Sequence, residues 1–320
     1  PSADWAPWST PYAVSGEPIR SPSPRQYLLI HAKLVSTDPD LAATLKSIAV
    51  NISDPLASEL TGEITPTRIE AIGKPEDFSF YIRPLFSSRQ QGFDEIRIIG
   101  STGTLMDLLQ VRTGSAEDFA LDTARVYTRA DLQVLAEGSD TLWVRLPQSL
   151  RQGVDLVEVD FRSLFFSNSG TFRGSVQTSS NPGFWQRVDE GDATDLANSQ
   201  VTTVLALAGN EVIKNLRLDS AVITPNGDGI HDELIFHFDV ARINTDTDVH
   251  LTIYDLSGNL VQRVVERRPD SRGRYALVWS GGDGSDKPVP PGIYVARIGV
   301  DVDSGSATET SMVRTVYVVY

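Results

Sequence analysis

The 320-residue chain contains no cysteine. That excludes disulfides, thiolate zinc sites and thiol catalysis. Stability must therefore come from buried apolar surface, and the length is enough for two or three domains of roughly 100–200 residues each. Positive charge is also scarce: 28 Lys and Arg stand against 42 Asp and Glu, for a formal net charge of -14. Binding phosphates needs a basic stripe, so nucleic acid is excluded as a partner. The acidic residues are spread along the chain, as on a solvated surface. No apolar run reaches the roughly 18–20 residues of a transmembrane helix. The chain opens Pro1-Ser2-Ala3-Asp4, the form expected of an exported chain after signal-peptide removal.

Catalytic signatures are missing as well. There is no Gly-x-Ser-x-Gly elbow, Walker loop, dinucleotide turn or His-Glu-x-x-His helix. The four histidines, His31, His231, His237 and His250, have no metal-ligand spacing. Asp94/Glu95 and Asp155/Glu158 are the carboxylates nearest to a paired arrangement. They are expected to cap turns and sit on solvated strand faces. The expectation is a non-catalytic protein with no organic cofactor.

Helical periodicity is nearly absent. Only Glu117–Ala124 and Arg129–Leu135 have room for a turn or two of helix. The rest alternates at period 2 and breaks on Gly, Pro, Asp and Asn, which predicts an all-β protein. Expected strands are Gln26–Ser36, Leu45–Ile52, Phe78–Pro84, Glu95–Ile99, Leu108–Arg112, Thr141–Leu146, Leu156–Phe165, Thr171–Gln177 and Val201–Leu207. The C-terminal set is Leu216–Ile223, Glu233–Val240, Val249–Leu256, Leu260–Val265, Tyr275–Trp279, Gly292–Val300 and Val313–Tyr320. This divides the chain into an N-terminal arm (1–25), a β-sandwich region (26–215) with a subdivision considered near 114, and a final sandwich (216–320).

The arm holds Pro1, Pro7, Pro11, Pro18, Pro22 and Pro24, interleaved with Trp5, Trp8 and Tyr12. Proline favours extended backbone and removes donors. Such an arm lies either across its own domain or on a partner subunit. Ile82-Arg83-Pro84 followed by Ser87 to Asp94 matches Val144-Arg145-Leu146 followed by Ser149 to Asp155. Each reads as a hairpin with a Gln-Gly turn and a positive-φ glycine. The acidic stretch Arg187–Gln200 reads as a long surface loop.

Four motifs occur in order after residue 216. They are Thr224-Pro225-Asn226-Gly227-Asp228-Gly229 with Asp232, then Leu251 to Val261 around Asp255-Leu256-Ser257-Gly258-Asn259, then Trp279-Ser280-Gly281-Gly282-Asp283, and Val289-Pro290-Pro291-Gly292-Ile293-Tyr294. On these residues the segment resembles the FlgD-like and gliding-motility-type C-terminal immunoglobulin-like domains of bacterial exported proteins. The resemblance implies an immunoglobulin-like sandwich, a periplasmic or extracellular address, and a role in assembly or surface attachment. Residues 25–48 more faintly resemble strand pairs of secreted jelly-roll or carbohydrate-binding modules.

Two readings stay open for the loop at 224–233. One is a calcium loop with Asn226, Asp228, Asp232 and Glu233 as oxygen ligands. The other is an Asx-turn network, favoured because Thr224 and Ile235 stand where acidic ligands belong. For contact surfaces the candidates are Trp5, Trp8, Tyr12, Phe184 and Trp185, while Trp143 is assigned to the core. The leading function is a scaffolding subunit whose partners are other proteins of an envelope or membrane complex. The alternative is a secreted carbohydrate-binding or surface-adhesion protein with a glycan partner.

Overall fold

The computed structural model describes residues 5, 8–17, 19–21, 27–36, 40, 42–52, 54–88, 90–206, 211–301 and 311–320. Pro1, Pro7, Pro18, Pro22, Pro24, Gln26, Arg89 and Leu207 lie outside the described residues. The regular secondary structure among the described residues is almost entirely β, as the period-2 alternation requires.

The first sandwich comprises β1 (Glu59–Thr65), β2 (Arg68–Ile69), β3 (Glu76–Leu85), β4 (Phe93–Ile99), β5 (Leu105–Gly114), α1 (Ala116–Ala120), β6 (Arg125–Thr128) and β7 (Gln133–Ala136). It continues through β8 (Thr141–Leu150), β9 (Leu156–Leu164), β10 (Ser169–Thr171), β11 (Arg173–Gln177), β12 (Gln186–Arg187), β13 (Asp189–Glu190) and β14 (Thr203–Ala206). A six-stranded sheet runs β13-β1-β3-β9-β5-β6, and a five-stranded sheet runs β12-β11-β4-β8-β7. Strands from both sides of residue 114 interleave in both sheets, so the subdivision considered there does not exist. Between the sheets lie Phe78, Phe80, Phe161, Phe165 and Phe172, all buried. Phe78 stacks on Phe161 with centroids 5.8 Å apart, and Phe172 lies against both at 5.7 and 5.5 Å. Each such side chain stabilises the fold by about 2–3 kcal/mol through burial.

The two repeated segments are not hairpins. Each carries the chain from one sheet to the other: β3 to β4, and β8 to β9. Their glycines do adopt positive φ, +76° at Gly92 and +93° at Gly153. Arg129–Leu135 is not helical either; a turn closed by Asp131 on Thr128 leads into β7. Among the described residues only α1 forms a helix, where Ser115 and Asp118 make a capping box that satisfies its first N–H groups.

The second sandwich comprises β15 (Ile213–Leu218), β16 (Val222–Ile223), β17 (Leu234–Val240), β18 (Thr247–Asp255), β19 (Leu260–Arg268), β20 (Gly273–Trp279), β21 (Gly292–Val300) and β22 (Ser311–Val318). Its sheets run β15-β17-β20 and β16-β22-β21-β18-β19. The single strand expected over Leu216–Ile223 is broken: the turn around Ser220 moves the chain from one sheet to the other. In β20 the alternation is strict, with Tyr275, Leu277 and Trp279 buried and Arg274, Ala276 and Val278 exposed. Trp279 plugs the sandwich end and donates its indole N–H to the Gly282 carbonyl at 2.8 Å. The hairpin between β18 and β19 closes on Asp255, whose carboxylate accepts the Ser257 and Asn259 amides at 2.8 Å each, with Gly258 at φ +83°.

The sandwiches abut through Ile72, Leu164, Phe166 and Ala241. The Arg242 amide donates to the Phe166 carbonyl at 3.0 Å, and its guanidinium donates to Asn168 Oδ1 at 3.0 Å.

Two expected strands are not formed. The described residues of 26–36 and 45–52 belong to no sheet, although their alternation is that of strands. Local pattern can only offer a strand; a ladder needs a neighbour with a free edge.

Candidate interaction surfaces

The loop at 224–233 is a turn network. Asp232 accepts the Gly227 amide on Oδ1 at 2.8 Å and the Gly229 amide on Oδ2 at 2.6 Å. Asp228 Oδ1 accepts the Ile230 amide at 2.7 Å, and Asn226 Oδ1 accepts the Asp228 amide at 3.0 Å. Gly227, Gly229 and His231 adopt the positive φ that such consecutive turns demand. The backbone amides of Gly227 and Gly229 hold the Asp232 carboxyl below the usual carboxylate range. The loop thus brings Asn226, Asp228 and Asp232 together, but their oxygens are taken up by backbone donors, and Glu233 stands exposed outside the network. Among the described residues no group of three or more His, Asp or Glu has the arrangement of a metal site.

A denser cluster lies on the outer face of the β11-β4-β8-β7 sheet. Alternation puts Ile96, Ile98, Leu142, Val144 and Val176 inward and Glu95, Arg97, Trp143, Arg145, Ser175 and Gln177 outward. The register sets Glu95 opposite both Arg145 and Gln177, and Arg97 opposite both Trp143 and Ser175. Glu95 is only 1% exposed. Its carboxylate accepts Trp143 Nε1 at 3.0 Å, Arg145 Nε at 2.7 Å and Gln177 Nε2 at 2.5 Å. Trp185 meets Trp143 edge-on with centroids 5.5 Å apart, and the Arg97 guanidinium covers its ring at 3.8 Å. Such a cation–π contact is worth about 1–2 kcal/mol when partly desolvated.

This arrangement corrects two expectations, for Trp143 and for the strand glutamates. Trp143 is not in the core; it is half-buried on the outer face. Trp185 is half-buried with one ring face under Arg97. Neighbouring Phe184 remains exposed at 38%. Glu95 and Glu158 are buried, not solvated. Glu158 accepts the Tyr81 hydroxyl at 2.7 Å and pairs with Arg112 at 3.3 Å. Burial pushes its carboxyl above the ordinary value, against the opposing pull of Tyr81 and Arg112. Asp94 does cap a turn, accepting the Ser179 amide at 2.7 Å.

Glu63 lies on β1, a strand absent from those expected from the sequence. It is fully buried, and its Oε1 accepts the Ala193 and Thr194 amides at 2.9 and 2.8 Å. Burial raises its carboxyl above the ordinary value, and those two amides work against the shift. The acidic stretch Arg187–Gln200 is consequently no free loop: it forms β12 and β13 and buries Ala193 and Ala197 against Tyr81, Phe119 and Leu156. The only signal for this was the pair of alanines within a polar run.

In the arm, Trp5, Trp8 and Tyr12 are 43%, 58% and 43% exposed. Tyr12 accepts the Arg20 amide on its hydroxyl at 2.7 Å and lies under the Arg20 guanidinium. Trp8 lies 6.0 Å from His31 between ring centroids. The Arg20 carbonyl accepts Arg187 Nη1 at 3.4 Å, a contact between the arm and the first sandwich. Among the described residues no helix is long and apolar enough to cross a membrane.

No family model and no curated protein matches the chain. Among solved structures it is similar to dimeric latent PorU from Porphyromonas gingivalis at 16% identity, covering 81% of this chain and 20% of that one, with a TM-score of 0.28. It is similar to PorZ, a surface component of the type IX secretion system of the same organism, at 10% identity over 46% of this chain and 15% of that one, with a TM-score of 0.22. The major pilin subunit BcpA of Bacillus cereus is similar at 9% identity over 81% of this chain and 65% of that one, with a TM-score of 0.29. The chain thus spans a fifth or less of the first two proteins, and what those proteins do stays with them.

Proposed function

We propose that the chain is a non-catalytic, extracytoplasmic structural subunit that docks onto other proteins of a cell-envelope assembly through its N-terminal segment. One observation carries this reading. Residues 27–36 and 42–52 stand outside every sheet and expose Tyr27 and Ile52 at 76% and 83%, together with Leu28, Leu29, Ile30, Leu34, Val35, Leu45, Ile48 and Val50. So much apolar surface on two strand-patterned segments marks an interaction site. An unpaired segment with strand-like apolar side chains suits addition to the open edge of a partner's sheet. The address outside the cytoplasm rests on the resemblance carried by residues 224–294.

The test is recovery of a C-terminally tagged chain from native envelopes under mild detergent. A stoichiometric protein complex supports the reading if it is lost on combining Leu28→Ser, Ile30→Ser, Leu34→Ser and Ile48→Ser. A complex indifferent to those four changes, or a monomer alone, defeats it.

A further inference from the structure

A cleft of about 250 Å³ opens where the two sandwiches meet. One wall is the turn at Gly73-Lys74, which follows β2 in the first sandwich. The other is the outer face of the β15-β17-β20 sheet, lined by Asn215, Arg217, His237, Asp239 and Arg274. The register explains the grouping: Arg217 lies opposite His237, and Asp239 lies opposite Arg274. His237 and Asp239 are two residues apart on one strand, so they share a face.

The floor is built. Asp239 is 4% exposed and accepts Asn215 Nδ2 at 2.7 Å and Arg274 Nε at 3.4 Å. Gly73 approaches so closely that a Cβ there would stand 2.8 Å from Asp239 Oδ2, and its φ is +75°. Its amide is anchored on the Phe165 carbonyl at 3.1 Å. The turn therefore holds Lys74 over the floor. At the rim His237 Nε2 meets Asp219 Oδ2 at 3.2 Å.

The charges are unusual for this chain. Three permanent cations, Lys74, Arg217 and Arg274, face one buried carboxylate, in a protein of net charge -14. Arg274 is paired with Asp239. Lys74 and Arg217 have no ion-pair partner among the described residues, although acidic residues outnumber basic ones. Two cations without an ion-pair partner, Lys74 and Arg217, in a concave site raise the local concentration of anions, against the one carboxylate of Asp219 at the rim.

We infer that this cleft binds carboxylates, two at a time, either on a compact dicarboxylate or on an acidic polypeptide segment. The volume lies below the roughly 300–1,000 Å³ of drug-sized pockets, which suits a short ligand. Two carboxylates match those two cations. A phosphate dianion would set two charges at one point beside Asp239, whereas separate carboxylates reach Lys74 and Arg217 and keep away from it. Because both sandwiches line the site, a bound ligand would also fasten one to the other.

The experiment is calorimetric titration of the full chain with succinate, a hexaglutamate peptide and inorganic phosphate, repeated on Lys74→Ala/Arg217→Ala. Both side chains are exposed, and a far-UV spectrum confirms that the variant folds. Binding of succinate or peptide, weakened about tenfold or more in the double variant and retained in Lys74→Arg, supports the site. Succinate binding identifies a free dicarboxylate, and binding of the peptide alone identifies a polypeptide ligand. Absence of both at roughly 10 mM ligand overturns the inference. So does phosphate binding more tightly than either, or a double variant that binds like the parent. None of these outcomes depends on the N-terminal docking segment.

Discussion

Replacing Glu95 by alanine should destabilise the first sandwich by about 3–5 kcal/mol. Glu95 is buried on the outer face of its sheet and receives three donors, from Trp143, Arg145 and Gln177. Gln177 is 3% exposed, so its amide would be left without an acceptor, at about 1–3 kcal/mol. The Trp143 indole N–H, half-buried beneath Trp185, adds about 1 kcal/mol. Arg145 loses its ion pair, but its side chain is 37% exposed and also donates to Gln133 Oε1, so water and Gln133 recover most of that loss. It contributes about 1 kcal/mol more. Glu95→Gln keeps an acceptor but turns an NH2 toward one of the donors, and should cost about 2 kcal/mol. The assay is urea unfolding followed by tryptophan emission, since Trp143 and Trp185 lie in direct contact at this site. The denaturant slope should be unchanged while the midpoint falls. A loss below about 1 kcal/mol for Glu95→Ala would refute the assignment of Glu95 as the anchor of this face.

Gly92→Ala and Gly153→Ala form a matched pair. An added Cβ at Gly92 would stand 1.9 Å from the Leu150 carbonyl oxygen, while at Gly153 nothing lies within 4 Å. The first should cost more than about 2 kcal/mol and the second only the left-handed backbone penalty of about 1 kcal/mol, read from thermal midpoints. Stability should fall as pH rises upward from 4.5, because Glu158 and Glu63 have folded-state carboxyls raised above that ordinary value and must ionise in a buried setting. Their contribution is fully present below 4.5 and lost as pH passes through the raised values. Glu158→Gln should flatten the decline in a pH series of melting curves; an unchanged slope would remove Glu158 from the account. Asp232→Ala should lower the melting temperature by freeing the Gly227 and Gly229 amides, and the drop should be the same in calcium and in chelator. A calcium-dependent shift in the parent chain would support the metal reading of the loop.

Strand alternation alone determined the all-β class and most of the strands, because the side-chain period of a half-buried sheet is written residue by residue. Turn chemistry was legible for the same reason: Asp255 to Asn259 and the Asn226 to Asp232 run act on their own neighbouring amides. The absence of cysteine and the net charge set their exclusions without any fold. Tertiary structure decided everything that depends on what stands opposite. It made the two glycine turns into crossings between sheets, since a turn does not record which sheet receives the next strand. It buried Glu63, Glu95 and Glu158 on outer sheet faces, because residues distant in sequence cover them: Ala193 and Thr194 over Glu63, Trp143, Arg145 and Gln177 around Glu95, Tyr81 and Arg112 against Glu158. It brought Arg97 over Trp185 and Lys74 into one cleft with Arg217, across gaps of 88 and 143 residues that no local pattern spans. Where the sequence promised strands at 26–36 and 45–52, the fold pairs their described residues with no sheet, and their apolar side chains remain exposed.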